Sequence, residues 1–195
     1  MSAERDGPRS YELPWTFCDR VATEHFGSQK YSTSVKAIRE LVANSLDADA
    51  TEVRIELNEN EGGGLDSVQI WDNGKGISPQ VLEERFVVVG VQPEREEGQI
   101  ARLGRFGVGR LAVHRIGTTS EWVSVSQRRD GKRVQVSFTL TAEPRDLTVQ
   151  QKTVTGDTPL GTVITIRNIR DAANSKLTAA TVGNDLVGHF CSYLF

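Results

Sequence analysis

Residues 34–48 read Ser34-Val35-Lys36-Ala37-Ile38-Arg39-Glu40-Leu41-Val42-Ala43-Asn44-Ser45-Leu46-Asp47-Ala48, and this stretch sets the character of the fold. Val35, Ile38, Leu41, Val42 and Leu46 recur every three or four residues, the period of an amphipathic helix. Ser32 or Ser34 is placed to cap its first turn, and the pattern runs to about Ala48. Glu40, Asn44 and Asp47 stand at i, i+4 and i+7, beside the apolar stripe. That spacing puts a carboxylate, an amide and a second carboxylate on one helical face at the edge of the core. Taken alone, the triplet reads as a solvated polar face. It also reads as a magnesium and water site, because an Asn oxygen is a hard ligand for Mg2+ and a nearby Glu can orient or deprotonate a water.

Downstream of this helix the period changes. Val53 to Leu57 alternates apolar and charged residues and predicts a strand; Asn58 to Gly64 is a turn-rich loop, and Val68 to Trp71 predicts a second strand. Pro79 to Phe86 suits a short helix opened by its proline. Val91 to Arg102 is polar, charged and without apolar period, so it reads as a loop. Leu111, Ala112 and Ile116 predict a helix ended by Gly117. Trp122 to Arg129 and Lys132 to Leu140 are strands joined by Asp130-Gly131, a hairpin signal. Leu147 to Thr153 and Thr162 to Asn168 predict two further strands, and Leu177 to Leu194 a closing helix weakened by Gly183 and Gly188. Upstream, Gly7, Pro8 and Pro14 mark residues 1–15 as a flexible arm, and Thr16 to His25 predicts a short helix. The predicted organisation is an N-terminal arm over 1–30 and one domain over 31–195. Helices and antiparallel strands mix without regular βαβ alternation, which is an α+β fold with helices on one face of a sheet.

Composition bounds the rest. The 195 residues are 37% hydrophobic and 25% charged, as in an ordinary globular domain large enough to bury a core. Lys and Arg number 23 against 26 Asp and Glu, a net charge of -3, which argues against a general nucleic-acid binder. No apolar run approaches the roughly 20 residues of a membrane helix. Met1 to Ser10 is too polar for a secretory leader, so a cytoplasmic protein with no membrane association is expected. Cys18 and Cys191 lie near opposite ends, outside any Cys-x-x-Cys pair, and read as two buried thiols rather than one long-range disulfide. His25, His114 and His189 are too scattered to suggest zinc.

Two glycine-rich stretches remain. Asp72-Asn73-Gly74-Lys75-Gly76 ends the second strand abruptly. It is either a tight turn or a place where backbone approaches a flat ligand closely, with Asp72 accepting from an exocyclic amine such as that of adenine. Gly104-Arg105-Phe106-Gly107-Val108-Gly109 precedes a predicted helix. It is either a flexible connector or a phosphate cradle of free N–H groups, with Arg102, Arg105 and Arg110 adding charge. It matches neither the dinucleotide pattern nor a Walker A sequence.

Taken in order, these motifs resemble those of the GHKL ATPase superfamily, which includes DNA gyrase B subunits, ninety-kilodalton heat-shock chaperones, sensor histidine kinases and MutL proteins. Arg39 to Ala48 resembles the N-box, Asp72 to Gly76 the adenine-binding glycine box, and Gly104 to Gly109 the second glycine box. Gly161-Thr162-Val163-Ile164 resembles the last motif, a strand bearing a Thr of the adenine site. The resemblance spans Glu40 to Ile164. It implies the Bergerat fold, a two-layer sandwich whose mixed, mostly antiparallel sheet is backed by helices, with ATP on the helical side.

The resemblance also implies roles. Glu40 is the expected general base, and Asn44 the expected ligand for Mg2+ bridging the phosphates. Asp72 is expected to accept the adenine amino group, Gly74 and Gly76 to let the ring approach, and Thr162 to support Asp72 through a water. Asp47 is expected to line the pocket. Lys75 and the second box (Gly104, Arg105, Phe106, Gly107, Val108 and Gly109) are expected to contact the nucleotide under a lid at about 91–103. The N-box is most similar to MutL, and the second box to the heat-shock chaperone and MORC-type ATPases. The Ser-x-Lys that such relatives often carry near the start of the lid is replaced by Gly90-Val91-Gln92-Pro93-Glu94-Arg95.

By this resemblance the chain is expected to be the ATPase domain of a longer protein whose further region supplies a lysine to the γ-phosphate. Turnover alone is expected to be slow. ATP is expected to drive homodimerisation and engagement of a protein or nucleic-acid client. A nucleotide sensor or interaction module without significant hydrolysis is the alternative.

Overall fold

A computed structural model describes residues 7–17, 33–89, 109–141 and 146–191. Nine strands and five α-helical segments lie in these residues, in the order β1 (Arg9–Leu13), β2 (Thr16–Phe17), α1 (Ser34–Asp47), β3 (Val53–Glu59), β4 (Leu65–Asp72), α2 (Pro79–Val81), β5 (Val88–Val89), α3 (Val113–Ile116), β6 (Gly117–Gln127), β7 (Arg133–Thr141), β8 (Leu147–Val154), β9 (Gly161–Ile169), α4 (Asp171–Asn174) and α5 (Ala179–Phe190). Seven strands form one sheet in the order β1-β8-β7-β6-β9-β4-β3. Every pairing in it is antiparallel, in keeping with the mostly antiparallel sheet that the resemblance implies. The only parallel pairing among the described residues joins β2 to β5 in a separate two-stranded ribbon.

Strand alternation sorts the sheet into two faces. Val68 and Ile70 of β4, Ile164 and Ile166 of β9, Trp122 of β6, and Val136 and Phe138 of β7 are buried on one face. They form a single core with Ala37, Ile38, Leu41 and Val42 of α1. Burying each larger aliphatic side chain here contributes roughly 1.5–3 kcal/mol. The opposite face carries Arg54, Glu56, Glu121 and Arg167, all exposed. The predicted α+β layering, with helices against one face, is therefore the observed one.

The local differences have physical reasons. Thr33, not Ser32 or Ser34, caps α1 by accepting from Lys36 N, while Ser34 is buried in the first turn. Residues 9–13, read as part of an arm, are the edge strand β1, with Tyr11 and Leu13 alternating inward; Pro8 and Pro14 bracket the strand. Thr16 and Phe17 are extended, not helical, because Thr16 N donates to Val87 O. The predicted helix over 79–86 is one α-turn followed by a π-helical turn at Leu82–Phe86. The wider turn lets Leu82, Phe86 and Val87 all face the core. Phe86 sits 5.3 Å from Trp122 and 5.0 Å from Phe138, edge-on to both. Cys191 is exposed and free, contrary to the expectation of burial, and Cys18 lies outside the described residues.

His114 on α3 supplies a pH dependence. Burial, reinforced by the Arg170 guanidinium, pushes its pKa below the ordinary 6.5, and its Nδ1 is buried without a hydrogen bond. The folded state therefore resists a proton that the unfolded chain accepts. This contribution to stability is intact above pH 6.5 and is lost as pH falls through the depressed folded value. Urea midpoints at pH 7.5 and 5.5 should differ more for wild type than for His114→Leu; equal differences would exclude this assignment.

Candidate functional site

The site begins as a register. Asp72 ends β4 and pairs with Thr162 of β9, which pairs with Ser124 of β6. Paired residues share a face, so the three side chains form a row across the sheet. Asp72 follows Val68 and Ile70 at two-residue steps, which puts the row on the face covered by α1. Asp72 is 5% exposed, Thr162 7% and Ser124 0%.

A carboxylate at this depth needs donors. Oδ1 accepts from Gly74 N (2.9 Å) and Thr162 N (3.2 Å), and Oδ2 accepts from Ser45 Oγ of α1 (3.0 Å). An ionised carboxylate offers about four acceptor positions, so acceptor capacity remains for a ligand donor. Thr162 supports Asp72 directly through its backbone N–H. The Thr162 hydroxyl lies 2.8 Å from Ser124 Oγ, which also accepts from Ile77 N (2.7 Å). The bond from Ile77 ties the segment after Gly76 to the floor of the row.

The turn 73–76 divides its residues between two jobs. Asn73 faces the α1–β3 connection. Its Oδ1 accepts from Thr51 N and Glu52 N, both at 2.9 Å, and its Nδ2 donates to Thr51 Oγ1 (2.9 Å). Lys75 N donates to Ala48 O (2.8 Å), and its ammonium pairs with Asp49 at the surface, not with any group of the row. Gly74 and Gly76 are required by the protein's own backbone. A Cβ on Gly74 would lie 2.8 Å from Ala48 O; one on Gly76, at φ +69°, would lie 2.1 Å from Val125 O. The sequence reading offered a tight turn or ligand approach for these glycines; their bareness is needed where the turn crosses Ala48 and β6. Gly76→Ala should cost about 3 kcal/mol in urea unfolding, and an unchanged midpoint would refute the crossing argument.

Glu40, Asn44 and Asp47 lie half-buried on α1, while Leu41, Val42, Ala43 and Ser45 are buried. The Ser45 bond to Asp72 fixes this helix over the row. Beside Glu40, Arg39 Nη1 lies 3.6 Å from Asp185 Oδ1 of α5. Among the described residues no group of three or more His, Cys, Asp or Glu is placed to hold a metal. Asn44 presents a side-chain amide oxygen, a hard donor of the kind Mg2+ takes. The predicted lid at 91–103, with Gly104, Arg105, Phe106, Gly107 and Val108, lies outside the described residues. Gly109 opens a 3-10 turn, Gly109–Ala112. Arg110 is buried with its guanidinium against Val88 O (2.8 Å), not presented to solvent.

Ser45, Asn73 and Ser124 hold the site together and were not singled out from sequence. Two of them had a signal. Ser45 occupies a core-facing place four residues after Leu41, and Ser124 an inward place two residues after Trp122. A polar residue at an apolar position of either period needs a buried partner.

Comparison with known proteins agrees with this geometry. Residues 31–158 match the family described as histidine kinase-, DNA gyrase B-, and HSP90-like ATPase. The DNA mismatch repair protein MutL of Exiguobacterium sibiricum is 28% identical over 120 residues, 62% of this chain and 19% of that protein. The putative type II restriction enzyme HgiDII of Herpetosiphon aurantiacus is 33% identical over 115 residues, 57% of this chain and 17% of that protein. MutL of Aquifex aeolicus is 30% identical over 105 residues, 52% of this chain and 24% of that protein. The matched region thus spans a quarter or less of each of these relatives. No helix among the described residues is long and apolar enough to cross a membrane.

Proposed function

Since this chain belongs to the histidine kinase-, DNA gyrase B-, and HSP90-like ATPase family and is an ATP-binding domain of that kind, we propose that it binds Mg2+-ATP between α1 and the sheet and hydrolyses it with Glu40. The observation that carries this reading is the buried Asp72 carboxylate, held by three donors and still able to accept a fourth. An acceptor fixed this way selects adenine. The adenine exocyclic amine donates to it, whereas guanine presents the O6 acceptor at the equivalent edge. Thr162 and Ser124 keep the carboxylate in place, and Asp47 lines the pocket beside α1.

The phosphates then extend along α1 toward its N-terminal half. Asn44 holds Mg2+, which when bound neutralises charge on the phosphate oxygens. Glu40, one turn earlier, orients the attacking water and takes its proton. The second glycine box, Gly104 to Gly109, offers backbone donors to the phosphates. Phosphoryl transfer of this kind needs mainly positioning and charge stabilisation. ATP binding gates dimerisation and engagement of a client. The relatives, mismatch repair and restriction proteins by name, favour a DNA-processing setting, with DNA contacts in regions outside this domain.

Calorimetric titration with Mg2+ and ATP, ADP or GTP tests the reading. Binding of both adenine nucleotides at least tenfold tighter than GTP is expected. Equal affinity for ATP and GTP would overturn the role of Asp72, and binding without turnover would leave a nucleotide sensor.

A further inference from the structure

Ser124 stands on β6, a strand that none of the sequence motifs includes, and it is 0% exposed. Its hydroxyl has several claims on it. Ser124 Oγ accepts from Ile77 N at 2.7 Å, and lies 3.1 Å from Gly161 O and 2.8 Å from Thr162 Oγ1. A serine hydroxyl has one proton and two acceptor sites. Ile77 N takes one acceptor site, which leaves two arrangements. In the first, Ser124 donates to Gly161 O and accepts from Thr162, so every contact is made and the Thr162 proton is engaged. In the second, Ser124 donates to Thr162 Oγ1, and the Thr162 proton is released toward the pocket beside Asp72. The geometry of the Ser124–Thr162 bond allows either atom to be the donor. Ser124 Oγ is also the one hydrogen-bond partner of the Thr162 hydroxyl among the described residues.

The base edge that meets this row has two positions. In adenine the exocyclic amine donates and the neighbouring ring nitrogen accepts. The ATP reading, on which this inference rests, gives the amine to Asp72. The ring nitrogen then falls to Thr162, the register neighbour of Asp72. We propose that Ser124 is a positioning residue that makes the site indifferent to the ring nitrogen, so that selection rests on the amine. A ligand with the nitrogen takes the second arrangement and exchanges the Ser124–Gly161 bond for a bond to the ligand, one for one. A ligand without it leaves the first arrangement, in which neither hydroxyl proton is unmet. The class of ligand accepted is therefore a purine-like ring with an amine at this position, with or without the adjacent nitrogen. Without Ser124 that balance is lost. The Thr162 proton then has only the ligand to meet, and a buried donor left unpaired costs more than a made bond gains.

Adenosine and 1-deazaadenosine, in which a C–H replaces that nitrogen, are titrated by calorimetry into wild type and Ser124→Ala of the full chain. Wild type should bind the two within threefold of each other. Ser124→Ala should prefer adenosine by tenfold or more. Comparing the ratio between the two proteins cancels what the analogue changes elsewhere, in stacking or in the amine. A serine that only supports the fold would weaken both ligands equally and leave the ratio alone. That result, or a wild-type preference above threefold, would overturn the proposal. The wild-type titration decides by itself if Ser124→Ala does not fold.

Urea unfolding without ligand separates this inference from the ATP reading. The two hydroxyls satisfy each other, so the midpoint loss in the Ser124→Ala/Thr162→Val double variant should be smaller than the sum of the two single losses. Additive losses would overturn the pairing itself. A wild type that shows this coupling but binds neither adenosine nor ATP would refute the ATP reading and the ligand part of this inference with it, while the hydroxyl pairing stands.

Discussion

Glu40→Ala should bind Mg2+-ATP as wild type does and lose turnover by a hundredfold or more. Glu40 is half-buried on α1, and the helix continues through Asn44 to Ser45. The Ser45 hydroxyl is bonded to Asp72. On the proposed reading, the helix runs along the ligand. Five residues separate Glu40 from Ser45, about 7.5 Å of rise. If Asp72 holds the adenine end, Glu40 stands toward the phosphates and outside the base-binding contacts. Loss of a positioned general base typically reduces a rate by 10²–10⁴-fold. Glu40→Gln, which keeps the size and hydrogen bonding of the side chain but not its basicity, should fail equally. Single-turnover rates separate chemistry from product release, and titration on the same samples checks that affinity holds. A Glu40→Ala protein hydrolysing ATP at the wild-type rate would remove Glu40 from the mechanism. Comparable losses of affinity and rate would assign it a binding role.

How far the sequence carried this reading differs from element to element. The helix 34–47 and the hairpin of β6 and β7 were legible because their periods of 3.6 and 2 are set by one buried face. The edge strand β1 was not, because only Tyr11 and Leu13 turn inward in it, and only the partner β8 makes the segment a strand. Likewise the π-helical turn at 82–86 depends on three residues reaching a core assembled from distant strands. At the site, Asp72 and Thr162 were found as motif members, but the link between them is a strand register spanning 90 residues. No local pattern encodes a register. Gly76 shows a second limit: sequence said that glycine was needed there, but only the backbone of β6 says why.

Asp72→Asn should weaken ATP by tenfold to a hundredfold, narrow the preference over GTP, and leave the fold intact. The substitution keeps shape while changing one atom from acceptor to donor, and the surroundings dictate which atom changes. Gly74 N and Thr162 N both point at Oδ1, so the Asn oxygen must take that place. The amide nitrogen then replaces Oδ2 beside Ser45. The Ser45 hydroxyl lies within reach of both Asp72 Oδ2 (3.0 Å) and Leu41 O (3.3 Å), so it can turn to donate to Leu41 and accept from the new amide. Every donor that Asp72 satisfied keeps a partner, the second amide N–H faces the ligand side, and unfolding in urea should shift by no more than about 1 kcal/mol. Asp72→Ala, by contrast, strands those donors and should be strongly destabilised.

For the ligand the consequences run the other way. An acceptor that met the adenine amine becomes an N–H facing an N–H. Losing a hydrogen bond to a charged acceptor costs about 1.5–3 kcal/mol, which is the stated range of affinity. The same N–H can donate to guanine O6, so GTP should lose less than ATP or gain. Calorimetric titration of both nucleotides, with a urea curve on each sample, reads all three quantities. Unchanged ATP affinity in a folded Asp72→Asn protein would move the base-binding site elsewhere on the sheet. Parallel losses of ATP and GTP would mean that Asp72 shapes the pocket without touching the base.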